Sequence, residues 1–154
     1  MKNLSFRKAK IKDLSILLQF EQGVITAERP FDITLKPEHI TYYDIEKLIN
    51  SKKSEVIVAV LNNEIVASAY ISIKKAKPYL NHSKYGYLGF MYVKQEHRGK
   101  GLNGLIFEEL KNWAKAKNIS ELRLDVYNEN ISAIKAYEKV GFSKHLINMR
   151  LGID

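Results

Sequence analysis

The sequence has 154 residues, 45% of them apolar and 27% charged, near the globular average, which excludes wholesale disorder, a collagen-like fibre and a coiled-coil rod. It holds no cysteine, so disulfide frameworks, thiolate nucleophiles and cysteine-based zinc sites are out. Twenty-five Lys and Arg against 17 Asp and Glu leave a net charge of +8, which draws polyanions: nucleic acid, an anionic membrane or a phosphorylated small ligand.

The longest strongly apolar run, Val56 to Leu61, spans six residues, against roughly 20 for a membrane helix. Met1 to Lys8 has no apolar core of a signal peptide. The expectation is one cytoplasmic domain over residues 1–154, with no membrane partner.

In chain order, Leu4 to Ala9 reads as a strand, and Ile11 to Gln22 as a helix ended by Gly23. Val24 to Pro37 is irregular, punctuated by Pro30 and Pro37. A helix over His39 to Asn50 follows. Glu55 to Leu61 and Glu64 to Ile73 read as strands joined through Asn62-Asn63, residues that tolerate the positive φ of a tight hairpin. Lys74 to Lys84 is a polar connection. Tyr85 to Val93 is a strand carrying Gly86 and Gly89, and glycine within a strand marks a bulge or a close approach. Leu102 to Lys117 is the clearest helix, with Leu102, Ile106, Leu110, Trp113 and Ala114 at steps of four and three. Glu121 to Val126 is a strand, Ile131 to Val140 a helix capped at Gly141, and Phe142 to Leu151 a final strand. The pattern is a mixed α/β layer domain.

Chemistry concentrates between Val93 and Gly104, where a strand ends, a basic glycine-rich turn follows and a long helix begins. Arg98 to Gly104 packs three glycines and two cations into seven residues. Glycines let backbone N–H groups turn inward, and a helix N-terminus adds unpaired donors and partial positive charge. The segment predicts a phosphate or pyrophosphate cradle. Gly99 to Gly104 also spells G-x-G-x-x-G, but a dinucleotide loop opens directly after its strand, whereas polar residues and His97 intervene here. A Walker A loop fails because Gly101, not Ser or Thr, follows Lys100.

This segment resembles motif A of the GNAT superfamily of N-acetyltransferases, R/Q-x-x-G-x-G/A, with Arg98, Gly101 and Asn103 in its three defined places and Asn103 departing from the usual Gly or Ala. Asn130 to Phe142 is similar to motif B, N-x-x-A-x-x-x-Y-x-x-x-G-F. On a helix, Asn130, Ala133 and Tyr137 fall within about 60° of one another. The resemblance covers roughly residues 55 to 150 and is specific for the superfamily, not for a substrate.

It implies a central mixed, mostly antiparallel sheet flanked by helices and splayed at the cofactor-binding strands. Acetyl-coenzyme A would be the cosubstrate, with Arg98, Gly99, Lys100, Gly101, Leu102, Asn103 and Gly104 around its pyrophosphate. The amides of Met91 and Val93 would meet the pantetheine, with Asn130 and Ala133 beside it. Tyr137 would protonate the departing thiolate. The glutamate base that many members carry in the middle of the Tyr85 to Val93 strand is replaced by Gly89. Glu21, Glu28, His82 and an ordered water leading to bulk are the substitute candidates. No metal site is expected, since His39, His82, His97 and His145 lack ligand spacing.

The reading is thus an acetyl-coenzyme A-dependent N-acetyltransferase acting on an amine acceptor, and the resemblance allows a homodimer. A catalytically weak coenzyme A-binding sensor ranks second and a basic nucleic-acid-binding module third.

Overall fold

The computed structural model describes residues 1–154. Its elements are β1 (Leu4–Lys8), α1 (Leu14–Glu28), α2 (Ile45–Asn50), β2 (Ser54–Leu61), β3 (Glu64–Lys75), β4 (Lys84–Val93), α3 (Leu102–Ala116), β5 (Leu122–Arg123) and α4 (Ile131–Lys139). The sheet order is β1-β2-β3-β4-β5. Every neighbouring pair is antiparallel except β4 and β5. This is the mixed, mostly antiparallel sheet expected.

Asn62 and Asn63, at φ of 50° and 67°, close the β2–β3 hairpin with Leu61 opposite Glu64. Both faces of β2 and β3 are covered. Ile57, Ala59, Ala69 and Ile71 pack against Ile106, Phe107 and Leu110 of α3 on one side. Val56, Val58, Tyr70 and Phe90 pack against Leu17, Phe20 and Val24 of α1 and Ile45 and Ile49 of α2 on the other. Alternate residues of each strand thus serve alternate layers.

Four sequence expectations need correction. Gly23 does not end the first helix, which runs on to Glu28. A Cβ at Gly23 would lie 2.4 Å from Cε2 of Tyr92, so the glycine admits a β4 ring against α1. The helix expected from His39 begins only at Ile45, capped by Asp44, whose Oδ1 accepts the Lys47 N–H at 3.1 Å. Upstream, the Tyr42 and Tyr43 N–H groups donate to the Glu21 side chain and are lost to any helix.

The strand expected over Glu121 to Val126 is paired only at Leu122 and Arg123. Phe142 to Leu151 forms no strand, because nothing within the chain pairs with it.

Candidate active site

β4 and β5 are joined only through Gly86 with Leu122 and Tyr87 with Arg123. Tyr87 Oη donates to Asp125 Oδ2 at 2.7 Å, tying the two diverging stretches together by side chains. Beyond that tie a wedge opens.

β4 changes phase at the wedge. Gly86 N–H donates to Glu121 O on the β5 side, and Lys94 N–H donates to Val66 O on the β3 side, both at 2.9 Å. Residues an even number apart send their N–H groups to one side of a regular strand. The reversal comes from a bulge, where pairing passes from Tyr70 with Gly89 to Ser68 with Tyr92. Phe90, almost wholly buried, takes φ of 57° there. Such a conformation is strained for a bulky residue and held by its surroundings. Past the bulge, the Met91 and Val93 N–H groups point away from β3, into the wedge.

Gly89 is small for a packing reason. A Cβ there would meet the Tyr70 ring at 2.6–2.8 Å, so a glutamate cannot be seated at this place without moving Tyr70.

The Arg98–Gly104 loop lies at the Val93 end of the wedge. Gly99 and Gly101 adopt φ of 73° and 78°, and a Cβ on either would point into open space. None of the six amides from Gly99 to Gly104 donates to an acceptor in the protein, and α3 has no side-chain cap. Asn103 Oδ1 is buried without a partner. The two cations brace the loop: Arg98 Nε donates to Val93 O and Lys100 Nζ to Glu96 O, each at 2.9 Å. Arg98 also stacks over the Tyr92 ring, 5.7 Å from its centre. Unpaired amides beside a helix N-terminus suit a pyrophosphate.

On α4, Asn130 caps the helix, its Oδ1 accepting the Ala133 N–H at 3.3 Å. Its Nδ2 makes no hydrogen bond within the protein. Tyr137 packs edge-on against Phe107, centroids 5.9 Å apart, and its hydroxyl is hydrogen-bonded to nothing in the protein. Burial first, and the charge of Glu28 second, push its phenol above the usual tyrosine range.

The three base candidates part company. Glu21 is 1% exposed, and its Oε2 accepts the Tyr42 and Tyr43 N–H groups at 2.9 and 2.7 Å, so it organises the chain. His82 Nε2 faces Glu121 Oε2 at 2.9 Å beside the Lys84 end of β4. The ten residues of β4 span about 33 Å, which removes His82 from the loop end. Glu28 stands on the last turn of α1, half-buried, and burial raises its carboxyl pKa. Its charge is felt by Tyr42, Tyr43, Tyr127 and Tyr137.

Of these, Tyr42, Tyr43 and Tyr127 are what sequence reasoning missed. Tyr43 packs on Tyr70 and Phe90. Phe31 stacks on Tyr127, whose hydroxyl donates to Asp32 Oδ2 at 3.3 Å. Thr34 and then Arg150 hold the Asp32 carboxyl down at about 2. Tyr42 is pushed up to about 12 by burial and by Glu28. The available signal was nine tyrosines in this chain, with Tyr42 and Tyr43 adjacent.

The sequence profile of the Acetyltransferase (GNAT) family matches residues 23–142. The chain belongs to the GNAT family of acetyltransferases. The members of this family are acyltransferases that use acetyl-coenzyme A. It is 41% identical over 59 residues to YobR, an uncharacterised N-acetyltransferase of Bacillus subtilis. That match takes in 38% of this chain but only 24% of YobR. A mutant of the BH1408 protein of Bacillus halodurans superposes with a TM-score of 0.88 at 23% identity, covering 97% of this chain and 99% of that one. A predicted acetyltransferase from Clostridium acetobutylicum, solved with acetyl-CoA, gives a TM-score of 0.74 at 27% identity over 97% and 96% of the two chains. No helix of this GNAT chain is long and apolar enough to cross a membrane.

Proposed function

We propose that this GNAT chain is an N-acetyltransferase that moves the acetyl group of acetyl-coenzyme A to a primary amine by direct attack on the thioester. The observation that carries the reading is the β4 phase change, which aims the Met91 and Val93 amides into a wedge whose end holds six unpartnered loop amides. A diphosphate fits the loop amides of Gly99 to Gly104, and an extended amide-bearing arm fits the strand edge. Asn130 Nδ2 and the small Ala133 side chain border the same path on α4. The cosubstrate supplies an acetyl group activated as a thioester.

This chain's residues then manage protons. An ammonium has no lone pair, so the acceptor must first be deprotonated. Glu28 takes that proton, directly or through one water, since its burial raises its basicity above that of a solvated glutamate. Tyr137 holds a proton at its Oη for the departing sulfur, and its raised pKa keeps that proton in place at neutral pH. A backbone amide of β4 polarises the carbonyl. The tyrosines around Glu28 give the acceptor an aromatic wall.

The test is turnover of acetyl-coenzyme A, read as thiol release, against a panel of primary amines, with Tyr137→Phe beside the parent. General acid assistance is worth about 10²–10⁴-fold, so kcat falls by that order while acetyl-coenzyme A affinity, measured calorimetrically, holds. A near-normal kcat in the variant removes Tyr137 from the role. One observation favours a second reading, a coenzyme A-binding sensor: the Tyr70 ring occupies the space that a glutamate at position 89 would need. Saturable binding with no turnover of any amine would select it.

A further inference from the structure

Glu28 and Asp32 stand four residues apart, across the last turn of α1 and the helical turn Arg29–Phe31 that continues it. At that spacing two helical residues share a face, with Cβ atoms about 6 Å apart. Both carboxylates bear on the same two rings. The Tyr42 and Tyr127 phenols are each pushed up by burial first and by these two charges after it. Tyr127 Oη donates to Asp32 Oδ2 at 3.3 Å, and Phe31 stacks on the Tyr127 ring with centroids 6.2 Å apart. Tyr42 Oη is buried and has no hydrogen-bond partner.

The neighbouring cation is committed elsewhere, since Arg29 donates to Lys36 O and Glu38 O at 2.7 and 2.9 Å. The cation that does reach Asp32 comes from the far end of the chain. Arg150 Nη2 donates to Asp32 Oδ1 at 3.1 Å and its Nη1 to Thr34 Oγ1 at 3.0 Å. The Asp32 side chain is 14% exposed, that of Arg150 62%. Little else holds Arg150 in place, because no backbone–backbone hydrogen bond involves residues 143–154. A loosely held guanidinium thus rests on an acidic seat walled by aromatic rings.

A negative site in a chain of net charge +8 draws cations to itself, and tyrosine faces add an attraction that neutral groups do not feel. We propose that the acceptor is a small linear dication: Glu28 receives the reacting ammonium, and Asp32, framed by Phe31 and Tyr127, seats the second ammonium of the same molecule in place of Arg150. The inference rests on the amine-transfer reading and names its acceptor class. Transfer forms the N–C bond and breaks the C–S bond. Two protons leave the reacting ammonium: one passes through Glu28 to bulk water, and the other restores the proton that Tyr137 gives to the sulfur. That nitrogen ends as a neutral amide while the second stays charged, so the product keeps one of its two anchors and departs more easily.

The experiment compares putrescine and cadaverine with butylamine and pentylamine as acceptors at fixed acetyl-coenzyme A. The diamines are expected to lead in kcat/KM by about tenfold or more, the worth of one hydrogen bond to a charged group, and added salt should narrow that lead. Asp32→Asn keeps an Oδ1 for the Thr34 N–H and hydroxyl, which it accepts at 2.9 and 2.5 Å, and should bring the ratio close to one. An Asp32 with only a structural role would depress diamine and monoamine together and leave the ratio where it was. Arg150→Gln vacates the seat and should lower the diamine KM several-fold. Calorimetric titration of cadaverine and pentylamine into protein saturated with coenzyme A reads the same preference without turnover. Equal kcat/KM for diamines and monoamines, or a diamine lead that survives Asp32→Asn, would overturn the inference and leave the N-acetyltransferase reading standing. A calorimetric preference for cadaverine that Asp32→Asn abolishes, with no turnover of any amine, would do the reverse. No preference in either measurement removes the dication seat.

Discussion

Glu21→Gln separates an organising carboxylate from a catalytic one. One oxygen of Glu21 accepts both the Tyr42 and the Tyr43 N–H, at 2.9 and 2.7 Å, in a site 1% exposed to water. Glutamine keeps a carbonyl oxygen for those two donors but, being neutral, weakens both charge-assisted bonds. Losing that charge assistance costs about 1–3 kcal/mol. At about 2–4 °C per kcal/mol for a chain of this size, the melting temperature should fall by about 2–12 °C. Glu21 faces the peptide backbone at 42–43 and not the wedge, so kcat should stay within a few-fold of the parent. The assay pairs thermal unfolding by circular dichroism with thiol release at a saturating amine. A kcat collapse of 100-fold or more with an unchanged melting temperature would refute the structural assignment and return Glu21 to the chemistry.

Gly101→Ala places a Cβ in open space at φ of 78°, so the free protein loses only the left-handed strain of about 1–2 kcal/mol. The new methyl stands beside the loop amides, and acetyl-coenzyme A affinity should drop more than tenfold in calorimetric titration. Glu28→Gln should lower kcat by about 10²-fold or more. In the parent, kcat/KM falls as pH drops through the raised Glu28 pKa, at a higher pH than for a solvated glutamate, and this acid limb should vanish in the variant. Asp13 accepts from Arg7 Nη1 and Nη2 and from the Lys10 N–H, and the Arg7 hydrogen bonds hold its pKa down. Its contribution is therefore full above the unfolded carboxylate range and lost as pH falls through the depressed folded value. Asp13→Asn should cost about 1–3 kcal/mol at neutral pH in urea unfolding, and the gap to the parent should close in acid.

The helices and hairpins with strong local signals were legible in the sequence. Leu102, Ile106 and Leu110 announce α3 by spacing, Asn62-Asn63 announce the β2–β3 turn, and the glycines of the motif loop announce positive φ. Partnership was not legible. The alternation from Ile147 to Ile153 states that a strand is possible, but period two says nothing about which edge would receive it. Gly23 reads locally as a stop, because the Tyr92 ring that requires it arrives from 69 residues further along the chain. That misreading also placed Glu28, a base candidate from the sequence, in an irregular segment, whereas it stands on the last turn of α1 beside the tyrosine wall. Phe90 carried no warning, since phenylalanine is an ordinary strand residue and its left-handed conformation is imposed by the packing around it.

The Phe90 bulge also dictates how this part of the chain can change over time. The two halves of β4 are out of step by one residue, and the step is set by a count of residues, not by their identity. Exchanging side chains between Lys84 and Val93 leaves the count alone. Losing or gaining one residue near Phe90 would bring the halves back into step and turn the Val93 amide inward to β3. Away from Gly86 and Gly89, where a Cβ would collide with its neighbours, drift in spelling leaves this register alone, while drift in length does not.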